Sequence, residues 1–265
     1  MFIFPTHQTL LTTSTTSTST TDEIITSNLI CSLDANNYSG SGTELDDTTT
    51  NDFDGTINGA TFNDDDSNNK YFIMDGWNDY ISLGTQANST LAPNSEDNDA
   101  SFCFWISIDS LNSDSTIFAN PKLTNCPLII WYDYSAWASP ANTGAGDVGG
   151  GTSKTLTVFI KDDSNEYRIS TANNAISADT WYNIVAVLNP TNDVYYIYLN
   201  GVEVAKFNSS AANSLSTMTA NLNIGAVSDA STIDGKFAHF MAYSAALTSS
   251  QVTQNYNVLK SRFGY

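Results

Sequence analysis

Apolar and polar positions alternate most clearly between Trp181 and Phe207, WYNIVAVLNPTNDVYYIYLNGVEVAKF, a stretch that predicts three antiparallel strands. Tyr182, Ile184, Ala186 and Leu188 repeat with period two, and Pro190-Thr191-Asn192-Asp193 is a polar turn that returns the chain into Val194. Asn200-Gly201 is the preferred pair for a two-residue type I′ turn, whose central residues both need positive φ. That turn predicts Leu199 opposite Val202 and Ile197 opposite Val204 on one face. Tyr198 opposite Glu203 and Tyr196 opposite Ala205 then fall on the other. The apolar face of such a meander needs a second layer to cover it.

The rest of the chain supplies short apolar runs punctuated by turns. Asn28 to Asp34, Gly55 to Phe62, Tyr71 to Met74, Tyr80 to Leu83, Thr116 to Ala119, Leu128 to Tyr132, Leu156 to Ile160 and Tyr167 to Ile169 all read as strands. Ala220 to Gly225 and Lys236 to Tyr243 add two more. Ser101 to Ile108, SFCFWISI, carries large side chains at odd and even positions alike and predicts a central strand covered on both faces. Asp46 to Asp54 reads as polar loop, and Ser135 to Lys154, rich in Gly, Ala and Ser, as a long mobile loop at a sheet end. Thr248 to Lys260 predicts a helix: Thr248 with Gln251 matches a capping box, and Val252, Tyr256 and Leu259 share a face. The expected fold is all-β, a two-sheet antiparallel jelly-roll sandwich with a short C-terminal helix. Residues 1–27, dominated by Thr and Ser, predict an N-terminal arm too polar to bury a core, and residues 28–265 the sandwich.

The order of these stretches resembles the concanavalin A-like lectin/glucanase superfamily, in its laminin G-like and pentraxin-like branch. LICSLDANNYSGSGT, GTINGATF with YFIMDGWNDYISLG, ASFCFWISI, the meander, LNIGA and GKFAHFMAYSAALTSSQVTQNYNVLKSRFG carry the likeness, which spans roughly Asn28 to Gly264. It implies a jelly roll, a frequent role in carbohydrate or surface recognition and, in some members, bound Ca2+. It does not settle function, because one fold hosts hydrolases, lectins and particle-surface proteins.

Charge narrows the partners. Lys+Arg 9 against Asp+Glu 28 gives a formal net charge of -19, which argues against nucleic acid, since phosphate binding needs clustered Lys and Arg. No apolar run approaches the length of a membrane span, and MFIFPTHQTL lacks the basic start of a secretory signal. Cys31, Cys103 and Cys126 are an odd set in apolar runs and read as packed free thiols.

The candidate chemistry is mostly that of binding. Retaining glycosidases of the superfamily pair two Glu on one strand, with carboxyls about 5 Å apart. Here Glu23, Glu44, Glu96, Glu166 and Glu203 stand far apart in sequence, so no catalytic residue is assigned. His7 and His239 give no zinc spacing, and His239 reads as a strand residue. Asp64, Asp66 and Asn68, spaced one, three and five with Asp75 at the twelfth position, are candidate Ca2+ ligands. The departures are Asn69 where a turn glycine belongs and Asp75 in place of Glu, so a solvated acidic loop is the simpler reading. Glycan binding needs an exposed ring with amide or carboxyl groups beside it. Trp77, Asn78 and Asp79 fit that requirement, as do Trp131, Tyr134 and Trp137 beside the long loop, whereas Trp105 and Trp181 read as core. Sequons at Asn37, Asn88 and Asn208 matter only in a secretory pathway.

From the sequence, the leading expectation is a non-enzymatic virion protein, displayed extracellularly on a capsid, fibre or tail. Its arm would contact neighbouring copies or other particle proteins in a homo-oligomer or lattice, and its sandwich would offer a face to glycans. The alternatives are a secreted or cell-surface lectin or adhesin and, less favoured, a polysaccharide hydrolase or lyase.

Overall fold

The computed structural model describes residues 23–85, 99–120, 128–135, 142, 144, 146–161, 166–209, 221–226 and 232–265. Its strands in chain order are β1 (Leu29–Asp34), β2 (Glu44–Leu45), β3 (Gly55–Asn58), β4 (Thr61–Asn63), β5 (Tyr71–Asp75), β6 (Tyr80–Ser82), β7 (Ala100–Ile108) and β8 (Ser115–Ala119). There follow β9 (Leu128–Asp133), β10 (Thr155–Lys161), β11 (Glu166–Ser170), β12 (Trp181–Asn189), β13 (Val194–Leu199), β14 (Val202–Asn208), β15 (Asn223–Ile224) and β16 (Asp234–Tyr243). One helix, α1 (Ser249–Leu259), runs on into a 3-10 turn, Lys260–Phe263.

The strands form two antiparallel sheets. The first runs β14-β13-β12-β7-β16-β5-β4, with β1 also paired to β16, and the second runs β11-β10-β9-β8-β15-β6-β3-β2. Between them lies the main core. Phe102, Phe104 and Ile106 of β7 and Phe237, Phe240 and Ala242 of β16 meet Phe118 of β8, Ile130 and Tyr132 of β9 and Leu156, Val158 and Ile160 of β10. The rings of Phe104, Phe118 and Phe240 lie 5.1 to 5.6 Å apart, centre to centre. This is the expected sandwich, and the period-two alternation on β12 and β13 produces it: Ile184, Ala186, Leu188, Tyr195 and Ile197 all face inward.

A third layer explains why β7 is apolar on both faces. The helix and the 3-10 turn lie across the outer face of the first sheet, where Phe263 stacks on Trp105 at 4.0 Å and Val252 and Leu247 join Cys103, Val185, Val187 and Met241. Thr248 caps the helix, with both halves of the capping box present. Residues 23–27, assigned to the arm from sequence, pack here too. Ile25 N–H donates to Asn255 Oδ1 at 2.8 Å, and Tyr243 Oη donates to the Ile25 carbonyl at 2.9 Å. Cys31 and Cys103 are buried free thiols, as expected, and Cys126 lies outside the described residues.

The meander departs from its expected register at one point. Asn200 (φ 50) and Gly201 (φ 78) form the type I′ turn, and Leu199 pairs with Val202 and Tyr198 with Glu203 as predicted. Ile197 then pairs with Ala205 and Tyr196 with Lys206, so Val204 is an extra residue, a β-bulge. The bulge turns Ala205 and Phe207 inward beside Ile197 and Tyr195, which an unbroken ladder would leave outside. Val202, opposite Leu199 beside the turn, is 64% exposed. One strand has no counterpart in the sequence reading, and one further reading changes. Glu44–Leu45, too short for a period to show, is a strand on β3. The described part of the supposed mobile loop is fastened: Val148 pairs with Lys206, and the N–H groups of Gly150 and Gly151 donate to the carbonyls of Ser170 and Thr171.

Candidate functional site

Strands β5 and β6 are joined by the turn Gly76-Trp77-Asn78, at the end of the sandwich where β16 begins. Its backbone is held on three sides. Asp75 Oδ1 accepts from Trp77 N–H at 2.9 Å, Asp79 Oδ2 accepts from Asp75 N–H at 3.0 Å, and Gly76 N–H donates to the Ile233 carbonyl at 3.1 Å. Gly76 has φ +77, and a Cβ there would stand 2.9 Å from Asp234 Cβ, so only glycine seats this turn against β16. Asp79 is buried, and its carboxylate lies over the Asn58-Gly59 turn, where a Cβ on Gly59 would meet Asp79 Oδ1 at 2.0 Å. Burial, foremost, and the charge of Asp75 push the Asp79 carboxyl above the usual aspartate range.

Trp77 gains nothing from this packing. Its side chain is 78% exposed on an immobilised turn, and Asn78 beside it is exposed as well. Leaving so large an apolar ring in water forfeits roughly 2 kcal/mol or more of burial, so the ring is available to an apolar surface from outside. Of the three residues named from sequence, Trp77 and Asn78 face solvent while Asp79 builds the turn.

In the second candidate set Trp131 is not offered to solvent. Leu128, Ile130 and Tyr132 of β9 point into the main core, so Trp131 points to the opposite face of the second sheet. There it is buried, 6.3 Å from the Phe159 ring and opposite Thr116 and Thr157. The same face carries a buried hydroxyl chain, Thr155 to Thr157 to Ser170, each link 2.9 Å. Tyr134 is 38% exposed, with Lys154 Nζ 5.7 Å from its ring centre, and Trp137 lies outside the described residues. Trp105 is buried as expected, but beneath the helix rather than between the sheets, and Trp181 packs between Tyr71 and Phe263.

The four candidate Ca2+ ligands are not brought together. Asp64, Asp66 and Asn68 lie in the β4–β5 loop, whereas Asp75 ends β5, a full strand away, roughly 13 Å at the usual rise per residue. Asp66 Oδ1 accepts from Asn68 N–H at 2.9 Å, and the Asn68 carbonyl accepts from Asn36 Nδ2 at 3.3 Å. Among the described residues no group of three or more His, Cys, Asp or Glu side chains is arranged to hold a metal ion. Asp64, Asp66, Asn68 and Asp75 thus do not form one Ca2+ cluster in the described structure.

What sequence reading missed is the company Trp77 keeps. Asp75 pairs with Asp234 across β5 and β16, and Asp109, directly after β7, donates its N–H to the Asp234 carbonyl at 2.7 Å. Lys236 Nζ lies 2.8 Å from Asp109 and 4.0 Å from Asp179. The available signal was position: each of these aspartates ends or precedes a strand at this end of the sandwich.

Solved structures share this architecture. Domain 4 of AbnA, a GH43 extracellular arabinanase from Geobacillus stearothermophilus, in complex with arabinotriose, superposes with TM-score 0.57 at 19% identity over 86% of this chain and 98% of that one. The binding domain of botulinum neurotoxin serotype G gives 0.61 at 15% identity, and that of botulinum neurotoxin DC in complex with SialylT 0.57 at 14%. Each covers 88% of this chain, which spans about half (52%) of either neurotoxin domain. At these identities the likeness shows the fold alone. No curated protein matches the sequence. A family match covers residues 75–253, two thirds of the chain and including the Trp77 turn and the whole meander, and by it the chain belongs to the Laminin G 3 family of the concanavalin A-like lectin/glucanases superfamily.

Proposed function

We propose that this chain is an extracellular carbohydrate-binding module, a lectin or adhesin unit, in which Trp77 is the platform for the apolar face of a sugar ring and Asn78 bonds its hydroxyls. One observation carries the reading: a tryptophan 78% exposed on a turn whose backbone is pinned by hydrogen bonds from β5, β6 and the segment before β16. A rigid, solvated aromatic ring binds a sugar with little ordering cost, because the turn is fixed before the ligand arrives. The neighbours support it, since AbnA domain 4 is in complex with arabinotriose and belongs to an extracellular enzyme. They favour the lectin reading over display on a virion, for which no feature of the fold speaks.

Among the described residues Glu44, Glu166 and Glu203 are exposed on three separate strands, β2, β11 and β14, so no paired Glu of the retaining-glycosidase kind supports a reading of turnover.

A glycan array on the wild type and on Trp77→Ala tests the proposal. The variant should lose at least about tenfold in affinity for whatever the wild type binds, about 1.4 kcal/mol, while its unfolding free energy stays within about 0.5 kcal/mol. Undiminished binding by Trp77→Ala would refute the assignment.

A further inference from the structure

Asp75 and Asp234 flank the Trp77 turn, and Asp109 and Asp179 continue the same rim beyond Asp234. Asp75 and Asp234 face each other across β5 and β16; Asp109 follows β7, and Asp179, whose N–H donates to the Ile108 carbonyl at 3.0 Å, precedes β12. The cation among them is Lys236, and both Asp109 oxygens hold it at 2.8 Å. Among the described residues neither Asp75 nor Asp234 has a cationic partner within ion-pair distance. The rim therefore carries an excess of negative charge, on a chain whose formal net charge is already -19. Burial and the charges of Asp109 and Asp75 raise the pKa of Asp234, which reports the same crowding.

We propose that this acidic rim makes the Trp77 site selective for uncharged oligosaccharides and closes it to glycans bearing carboxylate or sulfate groups, an inference that rests on the glycan-binding reading of Trp77. Asp75 accepts from the Trp77 N–H and Asp234 packs against Gly76, so a sugar laid on the indole lies beside both carboxylates. An anionic substituent there meets like charge, and among the described residues no Lys or Arg pairs with Asp75 or Asp234 to offset it; like-charge juxtaposition is a strong negative selector. A neutral sugar meets only hydrogen-bond acceptors. Exposed charges are screened by salt, so the discrimination belongs to low and physiological ionic strength.

The test uses matched pairs, each a neutral oligosaccharide and its uronic acid form, titrated calorimetrically into the wild type, Asp234→Asn with Asp179→Asn, and Trp77→Ala. Asp179 and Asp234 are exposed, and replacing each carboxylate by its isosteric amide removes charge without changing the side chain's size. The neutral partner should bind the wild type about tenfold more tightly than the uronate at low salt. That gap should close in about 0.5 M NaCl, where the screening length falls to roughly 4 Å, and should narrow in the double variant. Equal affinity within each pair at low salt, or a gap that neither salt nor the double variant reduces, overturns the selectivity proposal while leaving sugar binding standing. Binding that survives in Trp77→Ala overturns the site itself, and the selectivity with it.

Discussion

His239 shows how far burial reshapes a single side chain in this fold. It pairs with Asp34 on one side and with Trp105 on the other, its Nε2 lies 3.3 Å from Ser32 Oγ, and Arg262 grips both oxygens of Asp34 nearby. Burial, foremost, pushes its pKa down to about 4; the Asp34 charge raises it and the Arg262 charge lowers it. The unfolded chain takes up that proton near 6.5, the folded chain only near 4, so the unfolded state binds more protons in between. Stability is therefore full above 6.5 and falls as pH drops through the window, by about 3 kcal/mol at its lower end. His239→Gln removes this contribution. The difference in urea midpoint between wild type and variant should change with pH between 6.5 and 4 and be constant above 7; a difference that does not vary with pH would contradict the assignment. The tryptophans mark what a sequence can disclose at this scale. Trp105 and Trp181 alternate within clear strands and read as packed, whereas Trp131 sits in LIIWYD, an unbroken apolar run whose faces a period cannot separate. Trp77 was legible as a turn residue flanked by polar groups, but its exposure was not, because that depends on what β16 and the β3–β4 turn leave uncovered.

At the scale of elements, the β13–β14 hairpin and α1 brace each other. Gly201 has φ +78, and a Cβ there would come within 3.1 Å of the Tyr256 ring, while Thr253 Oγ1 donates to the Gly201 carbonyl at 3.1 Å. Gly201→Ala should therefore destabilise by about 1–2 kcal/mol from left-handed strain alone, with a further loss if Tyr256 must move. Thr248→Ala should cost about 1 kcal/mol by removing the helix cap. Thermal unfolding of the two variants checks both values, and an unchanged Gly201→Ala would mean that the turn relaxes freely. The Asn200-Gly201 turn and the capping box were both readable because each is a local pairing of residue types. The bulge at Val204 was not, since it arises from the need of Ala205 and Phe207 to reach a core built by strands far away in sequence.

The whole molecule has a direction. Residues 23–27 dock beside Tyr243 at one end of β16, and Asp234, beside the Trp77 turn, begins that strand at the other. Nine residue steps of strand separate them, roughly 30 Å. A chain held through its N-terminal side thus presents the Trp77 end away from its attachment. Immobilising the protein through a tag before residue 23 should preserve glycan capture, and coupling it to a bead through Asn78→Cys should abolish it; the reverse pattern would place the binding surface at the helix end. The net charge of -19 argues, at this scale, against nucleic acid as a partner, and the order of strands told the fold. The gathering of Asp75, Asp109, Asp179 and Asp234 on one rim was hidden, because four separate strand ends converge only once the sheets are paired. The most direct measurement is a crystal structure of the chain with the neutral oligosaccharide it binds most tightly. The account predicts a sugar ring lying flat on the Trp77 indole with Asn78 bonded to its hydroxyls; a sugar seated instead beside Tyr134, or anywhere that leaves Trp77 bare, would contradict it.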